Sequence, residues 1–588
     1  MPVLLLLFLS STIIAQDKGF VSIHQLQNEH YKQLLTKNSA PTEGKSIGSI
    51  GKTEVNSDLQ KRVFGYHPYW SGDKYLNYQW ELLSDLSFFS YEVDPATGNP
   101  VTTHNWENAP VIDTAITHGV KVHLCVTLFS DHADFFGNAQ AKQTLIDNII
   151  NLIEMRGAHG VNMDVEALPS SQSENFNNFI IDLSIQVHDA LPDAEVSIAA
   201  PAVNWSDKFD IPLLNEYIDF FMVMAYDYYW SGATEAGPVS PLYSMVDYYS
   251  YNFSKTISYY QHEGVPAEKI LTGVPYYAYQ WPTETGVAPS ATTGSATAYT
   301  YSYVKNNSSG NYSLSNKHRE ENSFGPYFAF EDGGWYQCWI DDVYSMGEKY
   351  DIVNRRGLGG IGIWALGYDD GYTDFWDLIN EKFTEGGEIV QADTLYDSGG
   401  PSWDYNDREN YRYTITTIPG SHIHLAFSYL NLEEGYDTLW IYDGPDTTSP
   451  LVNFYNGDSL PESIISSGNT LTFRFKSDNA TTEAGWRAVY DTLPVSSISE
   501  QNDYRSLEVF PNPAMDYIWI KEPALFISKS QVNVVVVSST GKELKLSAIK
   551  ESQGLLKLNI SELPQGLFIL KISDWENGVW ISRFTTVR

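Results

Sequence analysis

Apolar and polar residues follow two different periods along residues 62–383. Eight short stretches are strand-like: 62–69, 85–93, 121–128, 160–166, 195–200, 218–226, 270–276 and 359–366. They are rich in apolar, β-branched and aromatic residues, and turn residues bound them. Helical patterns lie between them. Ile146, Ile149, Ile150 and Ile153 share one helix face, which Gly157 would end; Phe176, Phe179, Ile180, Leu183 and Val187 share another, ended by Pro192. Eight strand–helix repeats predict a (β/α)8 TIM barrel over residues 61–384. The pattern breaks at about 280–340, where Ser, Thr, Tyr and Gly predict an insertion after the seventh strand. Beyond residue 396 the helical period vanishes. Ile423, Leu425 and Phe427 alternate, and the run from Tyr436 to Gly444 is a strand entering a turn. Residues 393–492 therefore predict a β-sandwich. Strands punctuated by Gly and Pro predict a second sandwich over 505–588.

The fourth stretch carries the chemistry. In His159-Gly160-Val161-Asn162-Met163-Asp164-Val165-Glu166, three apolar residues alternate with an amide and two carboxyls. A strand of that period sends Asn162, Asp164 and Glu166 to one side. Buried carboxylates are costly unless paired or hydrogen-bonded. Two close together push their pKa values apart, and one becomes a proton donor near neutral pH. The alternative is a strand end whose Asp and Glu face water. A TIM barrel carries its function at the C-terminal strand ends. Polar or aromatic groups fall at three more of them: Gly65-Tyr66 on the first, Met222-Val223-Met224-Ala225-Tyr226-Asp227 on the sixth, and Trp364 on the eighth.

Together these stretches resemble glycoside hydrolase family 18, the chitinases and their relatives. That family carries Asp-Gly-x-Asp-x-Asp-x-Glu on the fourth strand and Met-x-Tyr-Asp on the sixth. His159 and Asn162 stand here where the family has its first two aspartates. The resemblance implies a small α+β character for the insertion. It also implies a retaining hydrolase of β-1,4-linked N-acetylglucosamine glycans, chitin or chitooligosaccharides, whose nucleophile is the substrate's own N-acetyl group. Glu166 would be the general acid and base, Asp164 would orient the acetamido group, and Tyr226 would bond its oxygen. Trp364, Asp227, Met224, Tyr66 and Asn162 would bind substrate, with Tyr66 beneath Asp164 and Thr127 nearby. No cofactor is implied for catalysis. Asn162 can hydrogen-bond but cannot share a proton as an aspartate there would; the alternative is a polar cap on the barrel floor. It also resembles the peptidoglycan-directed and spore-associated members. Peptidoglycan or an N-glycan is therefore an alternative substrate, and an inactive glycan-binding lectin or a surface adhesin an alternative function. Retention of Glu166, Asp164 and Tyr226 favours the hydrolase.

Asp397-Ser398-Gly399-Gly400 and Gly485-Trp486-Arg487-Ala488-Val489-Tyr490 bracket a stretch that resembles a cysteine-free CUB domain. Glu433, Asp437 and Asp478 match positions that bind calcium in that family, and oxygen ligands suit the ion. The alternative is ordinary acidic surface. Residues 505–588 resemble the C-terminal sorting domain of type IX secretion cargo, through Pro511-Asn512-Pro513, Ser538-Ser539-Thr540-Gly541-Lys542 and Leu563-Pro564-Gln565-Gly566. This implies the type IX machinery as a partner. The destination implied is the medium or the surface of a Gram-negative cell, reached through the periplasm.

Composition narrows the partners. The chain has 588 residues, too many for one typical domain. Its net charge of −37 repels a phosphate backbone and argues against nucleic acid. Aromatics at 14 % suit sugar-stacking clefts and equally suit β-rich secreted domains. Residues 3–9 are apolar, and 10–15 complete a signal peptide too short to span a membrane. No other apolar stretch is long enough for a transmembrane helix. Residues 16–60 are polar and poorly patterned, an N-terminal extension. Cys125 lies in an apolar run and is expected as a buried thiol; pairing with Cys338 is open.

Overall fold

The computed structural model describes residues 20–37, residues 59–494 apart from 386 and 388, and most of 504–587. The expected signal peptide and the turn at 539–542 lie outside the described residues. Eight parallel strands form the barrel: β1 (Arg62–Pro68), β2 (Asp85–Val93), β3 (Lys121–Leu128), β4 (Gly160–Val165), β5 (Glu195–Pro201), β6 (Phe220–Met224), β7 (Ile270–Pro275) and β8 (Gly360–Trp364). Each pairs with its neighbour in sequence, and β8 returns to β1 to close the ring.

Helix α1 (Ile23–Lys37) precedes the barrel. Helices α2 (Ala139–Arg156) and α3 (Ser173–Ala190) flank β4 in sequence. The Asn138 side chain caps α2, accepting from the Gln140 and Ala141 N–H groups at 3.1 Å, and Gly157 at φ +59° ends it. Its buried stripe is Leu145, Ile146, Ile149, Leu152 and Ile153, with Ile150 at the edge. Each such side chain taken out of water contributes about 1.5–3 kcal/mol. A polar network closes the opposite end of the barrel from the strand C-termini. Arg62, Asp85, Lys121 and Glu195 are each the first residue of a strand. Arg62 pairs with Asp85 and lies 2.8 Å from Glu195; His123 lies 2.9 Å from Asp85.

The insertion is a five-stranded antiparallel sheet spanning residues 277–339, with the helix Tyr301–Asn306. It is α+β, as expected. Cys125 and Cys338 are both free, buried thiols.

Residues 392–494 form two four-stranded sheets packed over Leu425, Phe473, Phe475 and Trp486. This sandwich does not stand apart. It forms one compact body with the barrel as far as Leu493. The seam is polar and aromatic. Arg355, at the end of α4 (Val343–Arg355), donates to Asp393 at 2.5 Å and to the Tyr413 hydroxyl at 3.1 Å. The Arg356 guanidinium lies 3.6 Å over the Tyr411 ring. Residues 494–588 make a second body with its own core. Its eight strands join in one hydrogen-bonded sheet around that core.

Within the N-terminal extension expected over residues 16–60, residues 23–37 are helical, and α1 is lodged in the mouth of the barrel. Its inward face is built from His24, Gln27, Asn28 and Tyr31, which a search for apolar periodicity passes over.

Candidate active site

The site gathers at the C-terminal ends of β4, β6 and β8. Asp164 sits on β4 opposite Thr127 of β3. Glu166 follows the strand end. Its N–H donates to the Leu128 carbonyl at 3.2 Å, and its own carbonyl lies 2.8 Å from His132 Nε2. Ala167 then takes φ +52° and turns the chain away, leaving Glu166 at the rim. Asp164 Oδ1 and Glu166 Oε1 are buried and accept no hydrogen bond.

A polar floor underlies this pair. The Tyr66 hydroxyl donates to Asn162 Oδ1 at 2.8 Å, and Asn162 Nδ2 donates to Ser197 Oγ at 2.9 Å. Tyr66 and Asn162 were both expected among the substrate contacts. Both are fully buried, as Asp164 and Trp364 are. Asn162 lies one alternation below Asp164, and its amide is engaged by Tyr66 and Ser197. His159 is further off, at the entry to β4, where its Nδ1 accepts the Val122 N–H at 3.1 Å.

Tyr226 and Asp227 leave the end of β6. A Cβ at Gly273 on β7 would lie 2.6 Å from the Tyr226 ring, so only glycine there leaves room for it. Asp227 takes φ +59°, accepts from the Tyr277 hydroxyl, and lies 3.4 Å from that of Tyr279. Met224 lines a cavity of about 220 Å³ together with Glu166, Trp205, Tyr226 and Asp227. Trp364 lies at the end of β8, fully buried.

Helix α1 brings these groups to one point. His24 stacks on Trp364 with ring centroids 3.6 Å apart. Its Nδ1 lies 2.8 Å from Asp164 Oδ2 and 3.3 Å from Glu166 Oε1, and its Nε2 lies 2.8 Å from the Tyr226 hydroxyl. The Ile23 N–H donates to Asp227 at 3.0 Å. A neutral imidazole that donates from Nδ1 and accepts the Tyr226 proton at Nε2 satisfies both contacts. His24 belongs to no apolar period and is separated from Asp164 by most of the first half of the barrel. The spacing His24, Gln27, Asn28, Tyr31 was the signal available.

Burial dominates the electrostatics. It pushes Asp164 up to about 8. Burial, then the Asp164 charge, pushes Glu166 to about 8, so the pair keeps a proton near neutral pH. Burial also raises Asp227 to about 6 and lowers His24 to about 4, keeping the imidazole uncharged.

In the sandwich, Glu433, Asp437 and Asp478 do converge, with one oxygen from each within 4.8 Å of the others. Asp437 accepts from the Tyr405 hydroxyl at 2.5 Å and from the Asp478 N–H at 2.8 Å. Glu433 Oε2 is buried without a partner. Loss of solvent and the neighbouring carboxylates raise both Glu433 and Asp437. Oxygen donors, crowded charge and an orphaned oxygen fit a divalent cation.

A model of the family Glycosyl hydrolases family 18 matches residues 62–369, just over half of the chain. The chain belongs to glycoside hydrolase family 18. It is therefore a glycosidase of that family, followed by a CUB domain matched at 386–490 and a secretion system C-terminal sorting domain matched at 508–585. The sorting domain marks the chain for the cell surface or for secretion. Among the described residues, no helix is long and apolar enough to cross a membrane. A cortical fragment-lytic enzyme of Bacillus anthracis is 23 % identical, over 52 % of this chain and 69 % of its own. Chitotriosidase-1 of Mus musculus is 26 % identical, over 40 % and 55 %. A class V chitinase structure from Nicotiana tobaccum aligns with a TM-score of 0.48 at 19 % identity, covering 54 % of this chain and 97 % of that one.

Proposed function

We propose that the barrel hydrolyses β-1,4-linked N-acetylglucosamine glycans, chitin or chitooligosaccharides, with retained configuration. One observation carries this reading. Asp164, Glu166, Tyr226 and Trp364 all border a single ring-sized space, the one taken by the His24 imidazole. A sugar there would stack its apolar face on Trp364. Glu166 would deliver its proton to the departing glycosidic oxygen. The acetamido oxygen would bond to the anomeric carbon as that bond breaks. Asp164 would turn the acetamido group and balance its developing positive charge, and the Tyr226 hydroxyl would hydrogen-bond its oxygen. Water, deprotonated by Glu166, would then open the oxazolinium. No metal or cofactor enters this scheme. A bacterial wall glycan is a second reading. It is favoured by the amide of Asn162 beneath Asp164 and by relatives named as cortical fragment-lytic enzymes.

The test is a panel of chitooligosaccharides, their de-acetylated forms, peptidoglycan fragments and high-mannose N-glycans. It is run on a chain carrying a protease site between residues 38 and 57, before and after cutting. NMR of the first-formed product should show the retained anomer. De-acetylated glycans should not react, and their cleavage at a comparable rate would sink the mechanism.

We propose further that the chain leaves a Gram-negative cell through the periplasm by the type IX machinery. We also propose that Glu433, Asp437 and Asp478 hold calcium. Because Arg355 joins the sandwich to the barrel, the whole chain is the object to melt. Calcium should raise the melting temperature by mass action, and chelator should reverse it. Glu433→Gln should abolish the difference. A melting temperature indifferent to both additions removes the site.

A further inference from the structure

The contacts that bury α1 are chiefly polar and stacking contacts with groups lining the cleft. Of its residues, Ile23 is buried as an apolar core residue, whereas His24, Gln27 and Asn28 are buried polar groups. The β-barrel closes without α1. His24, Gln27, Asn28 and Tyr31 fall at i, i+3, i+4 and i+7, one face of a helix and about 10 Å along its axis. Each finds a partner in the cleft. His24 meets Asp164, Tyr226 and Trp364 as described. Gln27 Oε1 accepts from Trp364 Nε1 at 3.0 Å and from the Tyr368 hydroxyl at 2.7 Å. Asn28 donates to Glu92 at 3.1 Å, and Lys32 pairs with the same carboxylate. Tyr31 stacks on Trp70, centroids 4.8 Å apart and planes 11° from parallel. A planar ring on each of two tryptophans, with amides between them, reproduces the contacts that a short acetylated glycan would make.

We propose that residues 20–37 are a built-in competitor for the glycan site, which keeps the enzyme closed until the segment is cut away or displaced. The proposal rests on the glycan site assigned above. While His24 lies on Trp364, no sugar can. A tethered occupant acts at an effective concentration of order millimolar. If the free segment binds with a Kd of order 10 μM, the site is open about one time in a hundred, and removing the segment should raise turnover about 10²-fold.

The chain with the protease site separates the two ideas. Hydrolysis of 4-methylumbelliferyl chitobioside is measured on the uncut chain, and on the cut chain after the fragment is washed away. Cutting should raise the rate about 10²-fold, and His24→Ala should raise that of the uncut chain about tenfold. A readout free of catalysis is the binding of a fluorescein-labelled peptide of residues 20–37 to the cut, washed chain. Saturable binding is expected, weakened at least about tenfold by Trp364→Ala, which removes the stacking surface. If cut and uncut chains hydrolyse the glycoside equally, the competitor is overturned and the glycan site stands. If neither form hydrolyses any glycan yet the peptide binds in a Trp364-dependent way, the segment occupies the cleft but competes with no glycan, and the glycan assignment falls.

Discussion

At the scale of single residues, Asp164 and Glu166 share one low-dielectric mouth, and the proposed chemistry rests on them. Burial raises both, and the Asp164 charge raises Glu166 further. An acid catalyst is active while protonated, so activity should fall as pH rises through the Glu166 value. In the cut chain, Glu166→Gln should lower kcat by about 10²–10⁴-fold or more, since the general-acid contribution is lost. Asp164→Asn should lower kcat as well. It also removes the neighbouring charge, so the alkaline limb of the kcat/KM profile should move to lower pH. A limb that stays in place in Asp164→Asn would show that the two carboxyls are not coupled. Asn162 was legible as polar and inward-facing, with a polar cap on the barrel floor as one of its two readings, but its partners were not legible. Its partners Tyr66 and Ser197 come from two other strands, and only the closed ring brings them to it.

At the scale of elements, two polar seams hold the larger body together. Arg355 is buried against Asp393 and Tyr413 between barrel and sandwich. Removing one partner of a buried pair leaves the other uncompensated. Arg355→Ala should therefore cost about 3 kcal/mol in urea unfolding of the whole chain; a loss within about 0.5 kcal/mol would mean that the seam contributes little. The second seam is at the base of the barrel. Burial would raise Asp85, but His123 and Arg62 outweigh it and hold the carboxyl well below its ordinary range. Its folded value lies below its unfolded one, so its contribution is present above about pH 4 and is lost as pH falls further. Asp85→Asn should destabilise the chain at pH 7 and flatten its loss of stability in acid. An acid profile identical to that of the natural chain would refute this. Neither seam was visible as a run of apolar residues, because charged groups from distant segments make both.

At the scale of the whole molecule, two bodies with separate cores divide catalysis from address. A chain ending at residue 494 should keep the hydrolysis rate of the full chain within about twofold, since an independent body shares little core with the barrel. It should accumulate in the periplasm instead of appearing outside the cell. Normal export of the shortened chain, measured by immunoblot of the medium, would remove the sorting role. The sequence by itself determined the eight barrel strands, the insertion after the seventh, the all-β character of the last two domains and the strand that bears Asp164 and Glu166. Each of these follows from local period, two for strands and 3.6 for helices, and from turn residues at the ends of elements. Tertiary structure alone decided two other features. It laid α1 across the strand ends and fused the sandwich to the barrel through Arg355. These depend on polar and aromatic side chains far apart in the chain, whose meeting leaves no period in the sequence.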